Sequence, residues 1–328
     1  MILAGDIGAT HTRLALFRSE GTRLLETAAR VYASRAYAGL EPIVQDFAAA
    51  HGGAVRSACF GVAGPVRDGR SATTNLPWIV DAAALAGVLG VARAWLLNDL
   101  EASAWGLEAL APDDIAVLSP GSPVASGNAA LIAAGTGLGE AGLAWDGNAR
   151  RPFACEGGHA GFAPGDDLQD ELLKWLRARF GHVSWERVVS GPGLVNLYEF
   201  LRDTGRGEEP PWLAQALRAG DPPAVISRAA LDGSSSLCAR ALGLFVVLYG
   251  SEAGNLALKV MATAGVYVGG GIAPRIMEAL GDGRFLEAFR SKGRMRPLLE
   301  AMPVRVVLND RMPLYGAARF ALMEGTTS

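Results

Sequence analysis

Cysteine is scarce: the 328 residues hold three, Cys59, Cys155 and Cys238, odd in number and far apart. They form no CxxC pair and no metal-ligand spacing, which excludes a disulfide framework and fits a reduced intracellular setting. Cys155 can be read as a reactive thiol or as a small packing hydrophobe. Charge is sparse too, at 19% of residues, with a net charge of −3. Lys and Arg are scattered, so there is no basic footprint for nucleic acid. No basic segment or cleavage pattern follows Met1, which leads straight into an apolar strand. The longest apolar run, 237–249, is broken by Arg240 and falls short of the roughly 20 residues that span a bilayer. A buried helix, no membrane association and a soluble, cytoplasmic protein are therefore expected. Neither GxGxxG nor GxxxxGK[ST] occurs, so the Rossmann and P-loop fingerprints are excluded. No low-complexity linker marks a domain boundary. Half the residues are hydrophobic, ample for a packed core, and the length implies about two domains.

Glycines supply what is present. Residues 2–6 read as a strand, Gly8 supplies a turn, and 12–17 alternates with period two, so a second strand follows rather than a helix. The pattern recurs: 129–134 is a strand, Gly135-Thr136-Gly137-Leu138-Gly139 a turn, and 141–145 a further strand. Two such units are either two related half-domains, whose turn amides can hold the phosphates of one nucleotide from two sides, or two ordinary glycine hairpins. Between them, 57–66 is a strand, Asp81 caps a helix over 82–89, and 94–97 is a buried strand ending on Asn98-Asp99, where a helix begins. Ligands gather at the carboxyl ends of strands in open α/β sheets, which favours this acid as a functional group; a capping role is the plainer alternative. Helical spacing covers 168–180, 194–202, 236–249 and 255–263. Ser184 caps a turn carrying Glu186, Ser190-Gly191-Pro192-Gly193 forces a sharp turn, and 265–268 is a strand ending in Gly269-Gly270-Gly271. The strand 304–308 and helix 314–323 read as a piece of the first domain returning after a long insertion.

Glu156-Gly157-Gly158-His159 joins a carboxylate and an imidazole, both able to bond hydroxyls, in a backbone that can approach a ligand closely. Taken alone, the tetrapeptide reads more simply as a loop with a structural His and a capping Glu. The neighbouring parts change its weight. Phosphoryl transfer to a polyol needs amide cradles for phosphates, a metal, and a carboxylate to take the hydroxyl proton. Discrimination among sugars needs several fixed polar groups. The glycine turns and Asn75, Asn98, Asp99, Glu156, His159 and Glu186 form a parts list for that reaction.

Nearly end to end, the chain resembles the bacterial glucokinase family. The likeness rests on Gly5-Asp6-Ile7-Gly8-Ala9-Thr10, Thr74-Asn75-Leu76-Pro77-Trp78, Asn98-Asp99, Gly135-Thr136-Gly137-Leu138-Gly139, Glu156-Gly157-Gly158-His159, Gly181-His182-Val183-Ser184-Trp185-Glu186-Arg187, Ser190-Gly191-Pro192-Gly193-Leu194-Val195-Asn196-Leu197-Tyr198, Gly254-Asn255-Leu256-Ala257-Leu258 and Gly269-Gly270-Gly271-Ile272. It implies an α/β, two-domain actin-like (ribonuclease-H-like) fold with an active-site cleft between the domains. Residues 1–108, completed by 302–328, would form the small domain and 109–301 the large one. It also implies phosphorylation of glucose at its 6-hydroxyl with ATP and Mg²⁺, by a homodimer. Asp99 would be the general base; Asn75, Asn98, Glu156, His159 and Glu186 would bind the sugar. Gly8, Thr10, Gly135, Thr136 and Gly137 would hold ATP phosphates, Asp6 would sit near Mg²⁺ through water, and Gly269 and Gly270 would admit the adenosine. His182 reads as structural. Two positions depart from the family: Ala9 stands for a glycine and His11 for an asparagine. Ala9 crowds the loop only if its φ is positive. The clustered cysteines of the zinc-holding repressor/kinase sugar kinases are missing, as is an N-terminal DNA-binding segment.

Overall fold

The structure is a computed structural model that describes residues 1–21, 23–51, 54–73 and 76–325; Asn75 lies outside the described residues. The chain divides into two compact units, one of Met1–Asp114, Arg151–Ala154 and Asn309–Ser328, the other of Ile115–Arg150 and Cys155–Leu308.

The first unit contains β1 (Ile2–Ile7), β2 (His11–Glu20), β3 (Arg23–Ala33), β4 (Ser57–Val62), β5 (Arg70–Ala72), β6 (Ile79–Asp81) and β7 (Ala94–Asn98). Its main sheet has the order β3-β2-β1-β4-β7. The first three strands are antiparallel neighbours, and β4 and β7 run parallel to β1. Alternate side chains serve two cores, so β1 is apolar from Ile2 to Gly5. Leu3, Ile7, Leu14, Leu16 and Phe60 meet Ile43, Val44 and Phe47 of the helix Leu40–His51. Ile2, Ala4, Ala15, Phe17 and Cys59 meet Ala317, Ala318 and Ala321 of the helix Met312–Gly325. The strand β3 was not expected. It is a mostly exposed edge strand, so neither face demands the apolar alternation that reveals β2. The strand expected over 57–66 ends early, at Val62.

The second sheet consists of β8 (Ile115–Ser119), β9 (Ala129–Ala134), β10 (Leu138–Trp145), β11 (Arg150–Cys155), β12 (Gly265–Gly269) and β13 (Val304–Val307), in the order β11-β10-β9-β12-β13-β8, and all but β11 lie wholly within the second unit. As in the first sheet, an antiparallel hairpin precedes two parallel strands, and β8 adds an antiparallel edge. Pairing of β13 with β12 and β8 places 304–307 here. The division therefore falls at Asp114/Ile115 and Leu308/Asn309, not at 108 and 302, and a helix returns to the first unit without the strand.

Two expected helices are one. Ser236–Val260 runs unbroken for 25 residues, because Gly250 and Gly254 sit where a Cβ would lie 2.2 Å from the Phe285 carbonyl oxygen and 2.4 Å from that of Phe289. These glycines allow close helix packing and do not break the helix. Among the described residues this helix alone is long and apolar enough to cross a membrane, and most of it is buried in the second unit's core. The expected turn at 190–193 is likewise the start of the helix Gly191–Asp203: Ser190 Oγ accepts from Gly193 N at 2.9 Å. Pro192 lies in the first turn, where its missing N–H costs nothing.

Candidate active site

In the first unit, Asp6, Gly8 and Thr10 follow from the end of β1, and Asn98 and Asp99 from the end of β7. All lie at the carboxyl edge of the parallel strands. Asn98, not Asp99, is the N-cap of the helix Asp99–Gly106: its Oδ1 accepts from Leu100 N at 2.9 Å, while its Nδ2 donates to Gly64 O at 3.2 Å. Asp99 is the first helical residue and its Oδ1 also accepts from Leu100 N, at 2.9 Å. The helix N-terminus favours its negative charge.

Asp6 faces Arg13 at 3.8 Å, and Arg13 donates to Asp310 Oδ2 at 3.1 Å. Burial pushes the Asp6 carboxyl up to about 6; Arg13 opposes the rise, and Asp99 and Asp310 add to it. Gly8 N donates to His11 O at 3.0 Å, and Ser34 Oγ donates to Gly8 O at 2.7 Å. The turn therefore consumes the Gly8 amide internally, and Ser34 braces it. Among the described non-glycine residues, positive φ occurs at Asp68 and Met261 only, so Ala9 is unstrained.

Magnesium prefers oxygen ligands and usually takes one or two carboxylates, with phosphate oxygens and water filling the rest. Asp6, with Asp99 near enough to disturb its titration, fits that demand. Among the described residues no group of three or more His, Cys, Asp or Glu could hold an ion by itself.

In the second unit, Gly135 N donates to Gly137 O at 2.8 Å, again closing a turn with its own glycine amide. Among the described residues the Thr136 and Gly137 amides find no backbone acceptor, which makes them the ones suited to an anion. Gly270 lies beside this turn at φ 82°, where a Cβ would stand 2.3 Å from Ala134 O; Gly269 pairs with Ala133. Tyr249 Oη accepts from Ala134 N at 3.2 Å and reaches Gly269 O at 3.2 Å, tying the two strand ends together.

The 156–159 motif is a 3₁₀ turn lying on β10: a Cβ on Gly158 would stand 2.0 Å from Leu138 O. Glu156 and His159 are exposed, with Oε2 and Nε2 3.9 Å apart. His182 Nε2 lies 3.1 Å from His159 O, which requires the Nε2–H tautomer and gives His182 a bracing role. Trp185 N donates to Ala160 O at 3.0 Å and Phe162 N to Val183 O at 2.9 Å. These bonds carry Glu186 to the glycine turn, where its Oε2 accepts from Leu138 N at 3.0 Å. Glu156, His159, Glu186, Gly135, Thr136, Gly137, Gly269 and Gly270 thus share the carboxyl edge of one sheet. Residue spacing did not single out Arg13, Asp310, Ser34 or Tyr249, because each acts through a partner distant in sequence. A cavity of about 570 Å³ lined by Arg70, Asp81, Arg93 and Trp95 holds none of the candidate residues.

A family model described as Glucokinase matches residues 3–324. The glucokinase of Nostoc punctiforme is 41% identical over 97% of this chain and 98% of its own length. A glucokinase crystal structure from an Antarctic psychrotroph matches with a TM-score of 0.86 and 30% identity, covering 98% of each chain. A ROK family glucokinase from Streptomyces griseus, in complex with glucose and AMPPNP, shares the fold at a TM-score of 0.66 and 22% identity, over 98% of this chain and 99% of that one. With a match running nearly from end to end, on an α/β actin-like fold, the chain belongs to the glucokinase family.

Proposed function

We propose that this chain transfers the γ-phosphoryl group of ATP to the 6-hydroxyl of glucose. The observation that carries the reading is Asp99, held at a helix N-terminus beside Asp6 at the carboxyl edge of the first sheet. The glucose O6 attacks the γ-phosphorus, the bond to the β–γ bridging oxygen breaks, and ADP leaves. Asp99 accepts the O6 proton as the new bond forms, a task that needs position more than strong basicity. Asn98 fixes the backbone that aims Asp99 and keeps one Nδ2 hydrogen for a sugar oxygen. Glu156, His159 and Glu186 bond the remaining hydroxyls, with Asn75 as a further candidate. Thr10 and the amides of Thr136 and Gly137 bond phosphate oxygens, and the Gly269–Gly270 backbone admits the adenosine. When bound, Mg²⁺ neutralises charge on the phosphates, and Asp6 is the residue that would hold it, through water.

Support comes from the family match and from a fold neighbour crystallised with glucose and AMPPNP. The reading includes a cytoplasmic location and a homodimer, and sedimentation of the purified protein tests the dimer. The deciding experiment is a coupled assay for glucose 6-phosphate with ATP, ADP and polyphosphate as donors, repeated with mannose, fructose and glucosamine. Glucose with ATP is expected to give the highest kcat/KM. A higher value for another hexose would reassign the substrate, and glucose binding without ATP consumption would make the chain a sensor.

A further inference from the structure

Beneath the 156–159 turn lies a buried acidic pair that the proposed chemistry does not use. Glu140, on β10, is 1% exposed, and Glu252, in the middle of the helix Ser236–Val260, is 0% exposed. The Glu252 charge raises the affinity of Glu140 for its proton, and two carboxylates buried this close are costly to ionise together, so the pair holds one proton. Asn255 Nδ2 donates to Glu252 at 2.8 Å and Lys259 Nζ at 3.2 Å, so Glu252 is the member with charge-matching donors. Glu140 has none: its Oε1 is buried without a hydrogen-bond partner. Its Oε2 lies where a Cβ on Gly157 would be 1.9 Å away. The Glu140 carboxyl is therefore the floor on which the Gly157 backbone rests. The same strand residue is tied to the start of the loop, since Cys155 Sγ donates to Glu140 O at 3.2 Å.

We propose that Glu140 is a positioning residue for the sugar loop: one proton shared with Glu252 keeps Gly157 and Gly158 seated on β10, and loss of that proton unseats them and weakens sugar binding. The inference rests on the reading of 156–159 as the sugar loop. With the proton present, the pair is neutral on the Glu140 side and compact. Without it, two carboxylates face each other in a site where Lys259 is already bound to Glu252 and the Lys292 ammonium interacts with Glu252, not Glu140. The side of Glu140 open to relief is the Gly157 backbone.

The groups facing the pair are Tyr249 and Lys259 from the same helix as Glu252, Cys155 and Glu156 from the loop, and Lys292. Lys292 Nζ donates to Ser251 O at 2.9 Å, and burial lowers its affinity for its proton. Burial raises the Cys155 thiol and Tyr249 hydroxyl. Glu140 itself is pushed up to about 8, by burial first and then by the Glu252 charge, with Lys259 opposing. Its titration therefore falls above the ordinary imidazole range.

The test is the pH dependence of glucose KM and kcat at saturating ATP, from about pH 7 to about pH 9.5, for the wild type, Glu140→Gln, Glu252→Gln and His159→Ala. In the wild type, glucose KM is expected to rise above pH 8 by up to about tenfold per pH unit, with kcat changing less than about twofold. Glu140→Gln keeps the volume and the ability to donate to Glu252, so its KM should stay flat. Glu252→Gln removes the same like-charge contact and is read in the same way if Glu140→Gln does not fold. A flat wild-type profile overturns the inference. So does a rise that persists in the glutamine variants, which would assign it to another group such as Lys292. His159→Ala separates the two claims. If it leaves glucose KM unchanged, the sugar-loop reading itself fails. If it raises KM while the wild-type profile is flat, only the role of Glu140 fails.

Discussion

Replacing Gly158 with alanine puts one methyl group where the structure has no room for it. The added Cβ would lie 2.0 Å from the Leu138 carbonyl oxygen, 3.0 Å from its carbon and 3.1 Å from its Cβ. Leu138 opens β10 and pairs with Ala134 across the hairpin, so its carbonyl cannot withdraw without breaking the sheet. The loop must move instead. Ordinary van der Waals contact begins near 3.4 Å, so the Gly158 backbone would lift by about 1.4 Å, and a misplacement of about 1 Å costs roughly a hundredfold in a site that works by positioning. Glu156 and His159 flank the displaced residue, whereas the amides of Thr136 and Gly137 sit in a turn that its own Gly135 N to Gly137 O bond at 2.8 Å holds in place. Glucose kcat/KM should thus fall about a hundredfold, with ATP KM changing less than about threefold. Overpacking of this kind costs about 1–3 kcal/mol, which a melting curve reads independently. Steady-state kinetics with each substrate varied at saturating concentrations of the other is the assay. A variant that folds and keeps wild-type kcat/KM for glucose would refute the placement of the sugar loop.

Asp99→Asn keeps the helix and its Asn98 cap, so glucose KM should stay within about threefold while kcat drops by about 10²–10⁴; near-normal kcat would remove Asp99 as the base. Asp6 has a folded pKa above its unfolded value, so its contribution to stability is fully present below pH 3.8 and is lost as pH rises through about 6. In the metal-free protein Asp6→Asn should therefore raise the melting temperature at pH 7, by a free energy of at most about 3 kcal/mol, and flatten its pH dependence between 4 and 6 while abolishing turnover; a lower melting temperature at pH 7 would contradict the burial argument. Tyr249→Phe strips the Ala134 amide of its buried acceptor, at a cost of about 1–3 kcal/mol by denaturant unfolding. Because the hydroxyl joins the ends of β9 and β12 beside two glycine turns, ATP KM should rise more than glucose KM, and the reverse order would count against the nucleotide role of those turns.

Much of this fold is written locally. Period-two alternation marks β2, the Asp81 side chain accepts from Ala83 N at 2.9 Å as a cap should, and residues 129–134 form β9 as expected. Where local rules fail, a distant neighbour has overridden them. Gly250 and Gly254 would end an isolated helix, yet here they admit the backbone at Phe285 and Phe289. The strand β3 lacks alternation because it is an edge strand whose side chains are mostly exposed or half-buried.

The site divides along the same line. Glu156, His159 and the glycine turns lie in short motifs, because side chains that touch a ligand at the end of one strand must be near each other in sequence. Their electrostatic partners carry no such constraint. Arg13 reaches Asp310 across 297 positions, and Glu140 meets Glu252 through a helix that begins almost a hundred residues later. Any acid on a strand facing a core looks the same from its neighbours, whether it will be buried against a second carboxyl or turned to water. Motifs therefore locate the groups that touch substrate, whereas the protonation states that position them are set by packing between segments that no local pattern joins.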